Sequence, residues 1–394
     1  MIGAGVALRV IWAFAGNGGG WDLENLGIVR ATLAQSPLRV YEIVNPEAIR
    51  WPYPPGYFAW IATAGALSSA TGLRFGAVVK LLPIAADAGI SLLAYRALVR
   101  HGARERTALA AAALVSLGPS FAVVSAYHGQ LDSVAVLPAL AAVEVWERRG
   151  DRLALAAAAG ALIGVGVAIK TFPIVVLLAL LPTARRWTHA AAAVAGGVLV
   201  PAAVILPWMQ ADRPNVSFAL SYRGGWGAGG LSLLVQPSLA DGWFNAGSLE
   251  PSAVTRALVD AAPLLVGGAL AVCVVVFTKA ATEPLLAGTG IFLAGYVFGV
   301  NFFMQYVVWG MAFAVAAGFL RSSFAVQAAL VPALVVTYGR RPWDADWVDV
   351  PYTIILDGLW LFCAAALVGL LIRHSHLPPP ARVQPTMEGS VSRG

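Results

Sequence analysis

Six short polar clusters interrupt an otherwise apolar chain, and each carries a residue type able to move a proton or bind an anion. The first reads Gly18-Gly19-Gly20-Trp21-Asp22-Leu23-Glu24. An acid there suits a general base, with glycines letting a substrate approach the backbone; Asp before Leu-Glu-Asn equally suits a helix N-cap. The second, Arg50-Trp51-Pro52-Tyr53-Pro54-Pro55-Gly56-Tyr57, joins stiffening prolines to aromatic rings. It reads as an interfacial anchor or as a wall of a binding site. The third, Tyr127-His128-Gly129-Gln130-Leu131-Asp132, groups a His, a Gln and an Asp, which is more than the cap of the next helix needs.

Lys170, in Ile169-Lys170-Thr171-Phe172-Pro173, is the one charge in the apolar run 153–183. An unpaired ammonium there either snorkels to lipid headgroups or neutralises a phosphate as a point charge. Pro173 breaks the helix and frees backbone groups to face a cavity. The fifth cluster, Tyr222-Arg223-Gly224-Gly225-Trp226-Gly227-Ala228-Gly229-Gly230, reads either as a mobile loop over a site, with Arg223 as a second anion contact, or as a plain flexible loop. In the sixth, Asn301 to Trp309, Gln305 and Tyr306 bring an amide and a phenol to the start of a helix, where interfacial aromatics are the plain alternative.

The elements that must position these clusters are membrane helices. Apolar residues are 59% of 394 positions and charged residues 12%, against roughly 45–50% and about 25% in soluble domains. Pro284 to Leu320 contains no Asp, Glu, Lys or Arg. The net charge of +6 is spread over short loops and is no nucleic-acid signal. Cys273 and Cys363 lie inside apolar runs, so neither a disulfide framework nor a zinc site is expected.

No cleavable signal peptide is evident, and Met1 to Gly16 reads as a first membrane helix interrupted by Arg9. Arginine clusters at 96–106, 148–152 and 185–186, with Lys279, Arg321 and Arg373, place their loops in the cytoplasm by the positive-inside bias. The six polar clusters then share the outer side. Parity requires that one of the segments 57–72 and 76–99 does not span, and 57–72 is the better re-entrant or interfacial candidate. The expectation is an all-α polytopic protein of the plasma membrane with about twelve spans and both termini cytoplasmic. Residues 1–372 form one transmembrane domain, with a first outer loop at about 17–76 that carries juxtamembrane helices and a large one at about 209–252, and 373–394 form a disordered tail.

In this order, an acid after the first helix, a Tyr-Pro-Pro entry, a Gly-Gln-x-Asp turn, a Lys-x-x-Pro turn and a Gln-Tyr-x-x-Trp helix resemble the GT-C superfamily of membrane glycosyltransferases. The resemblance runs from about Met1 to Arg321 and is greatest to bacterial polyprenol-phosphate-mannose-dependent mannosyltransferases. It departs from the family pattern in that Trp21-Asp22-Leu23-Glu24 is no clean acidic pair. The resemblance implies transfer of a hexose, mannose in that branch, from a polyprenyl-phosphate carrier to a lipid or glycan acceptor on the extracytoplasmic face. It implies Asp22 as catalytic base and inversion at the anomeric carbon. Lys170, Arg223 and His128 would contact the donor phosphate, and Glu24, Tyr53, Gln130, Asp132, Gln305 and Tyr306 the substrates. No cofactor is expected, and a divalent metal is compatible with these residues without being indicated by a ligand cluster. A lipid-linked-oligosaccharide polymerase or ligase shares much of this pattern. A secondary transporter would show internal repeats, and none is evident, although Asp87 or Asp357 could pair with Arg9.

Overall fold

Inside hydrocarbon every backbone N–H and C=O must be satisfied within its own segment, so long apolar runs fold as helices. The structure, a computed structural model, describes residues 1–16, 18, 20–45, 49–184, 186–222, 226–244, 249–338 and 349–375, and among them it contains helices and no strand. The first half of the chain supplies α1 (Ile2–Ala15), α2 (Gly20–Gln35), α3 (Phe58–Thr71), α4 (Leu81–Arg100), α5 (Glu105–Ser116), α6 (Asp132–Glu147) and α7 (Leu153–Ile169). The second supplies α8 (Trp187–Leu220), α9 (Ala253–Lys279), α10 (Pro284–Phe298), α11 (Val307–Ala316), α12 (Leu320–Tyr338) and α13 (Asp349–Ser375). Six helical segments among the described residues are long and apolar enough to cross a membrane: Phe75–Arg100, Glu105–His128, Trp187–Leu220, Ala253–Lys279, Leu320–Tyr338 and Asp349–Ser375. Five shorter apolar helices accompany them. The chain is a multi-pass integral membrane protein.

Two cores hold it together. The larger joins α4 to α7 with α9 to α13, and centres on Phe121, Trp146, Ile163, Phe277 and Phe313. The second lies under the first polar segment, where Val29, Tyr41, Trp51 and Ile61 from α2, α3 and their connections bury against Val216 and Ala219 near the end of α8. The described residues between 20 and 79 are therefore a packed layer of short helices, and α3 sits within that layer.

The expected loop starting at 209 is helical as far as Leu220. Asp212 leaves helical geometry (φ −156, ψ 67), and its Oδ1 accepts hydrogen bonds from Asn215 N at 3.3 Å and Asn215 Nδ2 at 3.0 Å. An Asp-Arg-Pro sequence that reads as loop is thus a kink, with Asp212 capping a second helical segment. At the other end α13 continues through Ser375, past the expected start of the tail, and 376–394 lie outside the described residues.

Arg9 finds its partner in Asp87 rather than Asp357. The two form an ion pair at 3.2 Å with side chains 4% and 1% exposed. Arg9 also donates to the backbone carbonyls of Val115, at 2.8 Å, and Ser116, where α5 ends.

Candidate functional site

Most of the polar clusters lie where a helix breaks, because that is where backbone and side-chain polarity escape the helical ladder. Three breaks and the first packed layer converge. Val123–His128 is π-helical and ends at Gly129, whose φ of +79 belongs to the left-handed region. Rare π-helical turns recur at functional sites, and a glycine accepts that φ without strain. Gly18 approaches so closely that a Cβ would stand 2.4 Å from Tyr127 O. This contact sets the start of α2, and hence Asp22, against His128.

His128 Nε2 and Asp22 Oδ2 form a short hydrogen-bonded pair. The His128 side chain is 8% exposed and that of Asp22 30%, so the carboxylate is the accessible member. Burial pushes the Asp22 carboxyl up, but the charge of His128, hydrogen bonds from His128 and Gln130, and the Lys170 ammonium together hold it below its usual value. Asp22 is therefore an ionised, oriented acceptor of protons. His128 Nδ1 is buried without a hydrogen-bond partner among the described residues. The Tyr338 ring lies 4.5 Å from the His128 ring, and the Tyr338 hydroxyl donates to Gln305 Oε1 at 2.7 Å.

A second polar group adjoins the first. Lys170 caps α7 in extended backbone (φ −150, ψ 138), and its Nζ donates to Asp132 Oδ1 at 2.7 Å. Trp309 Nε1 donates to the same oxygen, while Asp132 Oδ2 is buried without a partner among the described residues. The ammonium also lies 4.9 Å from the Tyr53 ring, 4.9 Å from Tyr306 and 5.2 Å from Trp309. Trp309 stacks on Phe172 at 3.8 Å and on Tyr306 at 4.1 Å. The ammonium expected to be unpaired is thus paired with a carboxylate and faced by three aromatic rings.

Beside Lys170 opens a cavity of about 350 Å³. Lys170, Tyr53, Tyr222, Asn301 and Tyr306 line its polar part. Its apolar part includes Val175, Ile291 and Phe292, and it reaches Val266 and Leu270, at the middle of the 27-residue helix α9. Little of α9 is buried, so one wall of the cavity is an apolar helix that packs sparsely against the rest of the chain. A polar head with an apolar chain matches this division.

Of the expected site residues, Asp22, His128 and Gln130 form one group and Asp132, Lys170, Tyr53 and Tyr306 a second, with Gln305 joined to the first through Tyr338. His128 contacts Asp22, at the position where a donor-phosphate contact is expected from the sequence. Glu24 turns outward: its carboxylate is 62% exposed and lies 3.8 Å from Arg50. Arg223 lies outside the described residues. The glycine-rich segment beyond it is docked: Leu231 N donates to Gly299 O at 3.0 Å, Ser232 N to Val300 O at 2.8 Å, and Tyr352 Oη to Ala228 O at 2.6 Å. Tyr338 and Trp309 carry site contacts although neither is among the site residues expected from the sequence. The Gln-Tyr-x-x-Trp spacing contains Trp309, but Tyr338 ends an apolar helix and carries no such signal. Among the described residues, no group of three His, Cys, Asp or Glu side chains is placed to hold a metal ion.

By sequence, no family model and no curated protein matches the chain. Among solved structures it is similar to the archaeal oligosaccharyltransferase AglB from Archaeoglobus fulgidus, determined in complex with an inhibitory peptide and a dolichol-phosphate. The two share 14% identity at a TM-score of 0.37, over 97% of this chain and 56% of that one. The chain therefore spans little more than half the length of that protein.

Proposed function

We propose that this protein is a membrane glycosyltransferase that moves a hexose from a polyprenyl-phosphate carrier to a hydroxyl of a lipid or glycan acceptor at the extracytoplasmic boundary. The observation that carries the reading is the placement of a carboxylate, Asp22 on His128, within electrostatic reach of Lys170, which lines a cavity that is polar at one part and apolar at the other. The order of polar motifs along the chain, which resembles that of the GT-C superfamily, supports the same class and favours mannose.

The carrier's isoprenoid chain occupies the apolar part, between α9 and α10, and its phosphate meets Lys170. Phosphate approach draws the ammonium partly away from Asp132, whose second hydrogen bond, from Trp309, keeps that carboxylate solvated. Asp22 accepts the proton of the acceptor hydroxyl while that oxygen forms its bond to the anomeric carbon. The bond from the anomeric carbon to the phosphate oxygen breaks on the opposite face, so the configuration inverts. The electron pair leaves on the polyprenyl monophosphate, where Lys170 stabilises the added negative charge. One carboxylate is enough, because a phosphate needs no general acid to depart. His128 orients Asp22 through Nε2 and holds it ionised. The Phe172–Trp309–Tyr306 stack offers ring faces to the apolar face of a sugar.

Membranes containing the protein, incubated with radiolabelled polyprenyl-phosphate mannose, test this. Label is expected to pass into a lipid or glycan fraction and to be absent from membranes lacking the protein. Failure of label to move from this donor and from polyprenyl-phosphate glucose and arabinose alike would overturn the reading.

A further inference from the structure

Asp87 is buried in α4, 1% exposed, and takes part in none of the proposed chemistry. Its carboxylate nevertheless reaches both sides of the turn that carries His128, Gln130 and Asp132. Ser125 Oγ donates to Asp87 Oδ2 at 2.6 Å and Ser133 Oγ donates to Oδ1 at 2.5 Å. Ser125 lies three residues before His128, and Ser133 directly follows Asp132. The Ser125 proton has a second acceptor within reach, Phe121 O at 2.9 Å, but the charged oxygen is nearer and makes the stronger bond.

The chain between the two serines needs such a hold. It passes through the π-helical stretch Val123–His128 and the left-handed Gly129 before α6 begins. A wide backbone closure spans the turn, from Gln130 N to Val124 O at 3.0 Å. π-Helical geometry is seldom populated without tertiary support, and positions of that kind persist when their surroundings over-determine them. Arg9 pairs with the Asp87 carboxylate at 3.2 Å, since burying Asp87 alone would be costly.

We infer that Asp87 is a positioning residue, a single carboxylate that clamps both ends of the 125–133 turn so that His128 meets Asp22 and Asp132 meets Lys170. The clamp itself is independent of the transferase reading, and only its effect on turnover rests on that reading. One end serves each group: Ser125 steadies the His128 side and Ser133 the Asp132 side.

Two measurements on the full chain in lipid nanodiscs decide it. The first is hydrogen–deuterium exchange in the Ser125→Ala/Ser133→Ala double variant, which leaves the Arg9–Asp87 pair in place. Exchange is expected to rise at least about tenfold in peptides covering 123–134, with α4 and α10 unchanged; the threshold is one decade, or about 1.4 kcal/mol of local opening. Unchanged exchange in the turn, or an equal rise in every helix, overturns the clamp. The second is transfer from radiolabelled polyprenyl-phosphate mannose. Ser125→Ala is expected to lower kcat by about 10–100-fold, as displaced catalytic groups do, with the donor KM held. Ser133→Ala is expected to raise the donor KM more than it lowers kcat. On a His128→Ala background Ser125→Ala should add nothing, because it acts through His128. Full additivity there overturns the positioning role. If wild type transfers no sugar, the proposed function fails, and the exchange result alone decides the clamp.

Discussion

Helix α6 begins at Asp132 and ends at Glu147, and its two ends treat charge in opposite ways. At the Glu147 end, Glu144 takes Arg96 at 2.8 Å and Arg148 at 2.5 Å, while Glu147 lies against Arg100 and His101. Arg96 and Arg148 are 45% and 52% exposed. Every acid there has more than one basic group at hand, and water screens the remainder. At the Asp132 end the groups are buried, one ammonium serves one carboxylate, and His128 Nδ1 and Asp132 Oδ2 have no partner among the described residues. Surface ion pairs of the first kind contribute about 0–1 kcal/mol. Buried polar atoms without partners are costly. The number of charges therefore does not separate the two ends; how far the Lys170–Asp132 pair is withdrawn from water does, its side chains being 6% and 0% exposed.

Substitutions at the two ends put this contrast at risk. The largest effect is expected from Asp22→Asn, which keeps the shape and removes the base: transfer should fall by about 10²–10⁴-fold, measured as initial rate at saturating donor. Lys170→Ala comes next. It removes the cation on the leaving phosphate and strands Asp132 in a buried site, so a loss of about 10²–10³-fold in kcat is expected, together with about 3–5 kcal/mol of stability. Thermal denaturation in detergent checks the second part, and Asp132→Asn on the Lys170→Ala chain should restore some of it without restoring transfer.

His128→Ala should act mainly through pH. In wild type the Asp22 pKa lies below the ordinary carboxylate value of about 4, so the base stays ionised until the pH falls through that depressed value. A depressed carboxyl also stabilises the fold above about pH 4, and that contribution is lost on further acidification. Removing His128 deletes the leading downward influence and leaves burial, which raises the pKa. The acid limb of the transfer profile is therefore expected to move to higher pH, which a pH–rate series reads out. An unmoved limb would mean that His128 does not hold Asp22 ionised.

At the opposite end of α6, Arg148→Ala should change transfer less than about twofold and stability by less than about 1 kcal/mol. A large loss there would erase the contrast between the two ends.

Much of this is legible in the residues themselves. An apolar chain with regularly spaced arginines has little choice but to form membrane helices. Arg9 and Asp87, charges inside apolar runs, each call for a partner because neither is tolerable alone, but the sequence leaves Arg9 a choice between Asp87 and Asp357, which only the fold makes. Asp22, His128 and Lys170 stand out for the same reason, since each sits where an apolar run must break. Partner choice is the hidden part. Lys170 and Asp132 are 38 residues apart, and spacing along the chain says nothing of which buried acid meets which buried base. His128 turns to Asp22 because Gly18 lets the first segment lie against Tyr127, a tertiary contact. Tyr338 is invisible in the sequence, being one aromatic at the end of an apolar helix. The capped kink at Asp212 looks like a loop, because Asp and Pro favour both.

The decisive experiment is one rate comparison, in proteoliposomes supplied with radiolabelled polyprenyl-phosphate mannose and an acceptor fraction from membranes. Asp22→Asn, shown to be inserted and to melt like wild type, is expected to transfer sugar at no more than about one hundredth of the wild-type rate. Transfer by Asp22→Asn at the wild-type rate would contradict the assignment of the base, and with it the chemical role of the Asp22–His128 pair.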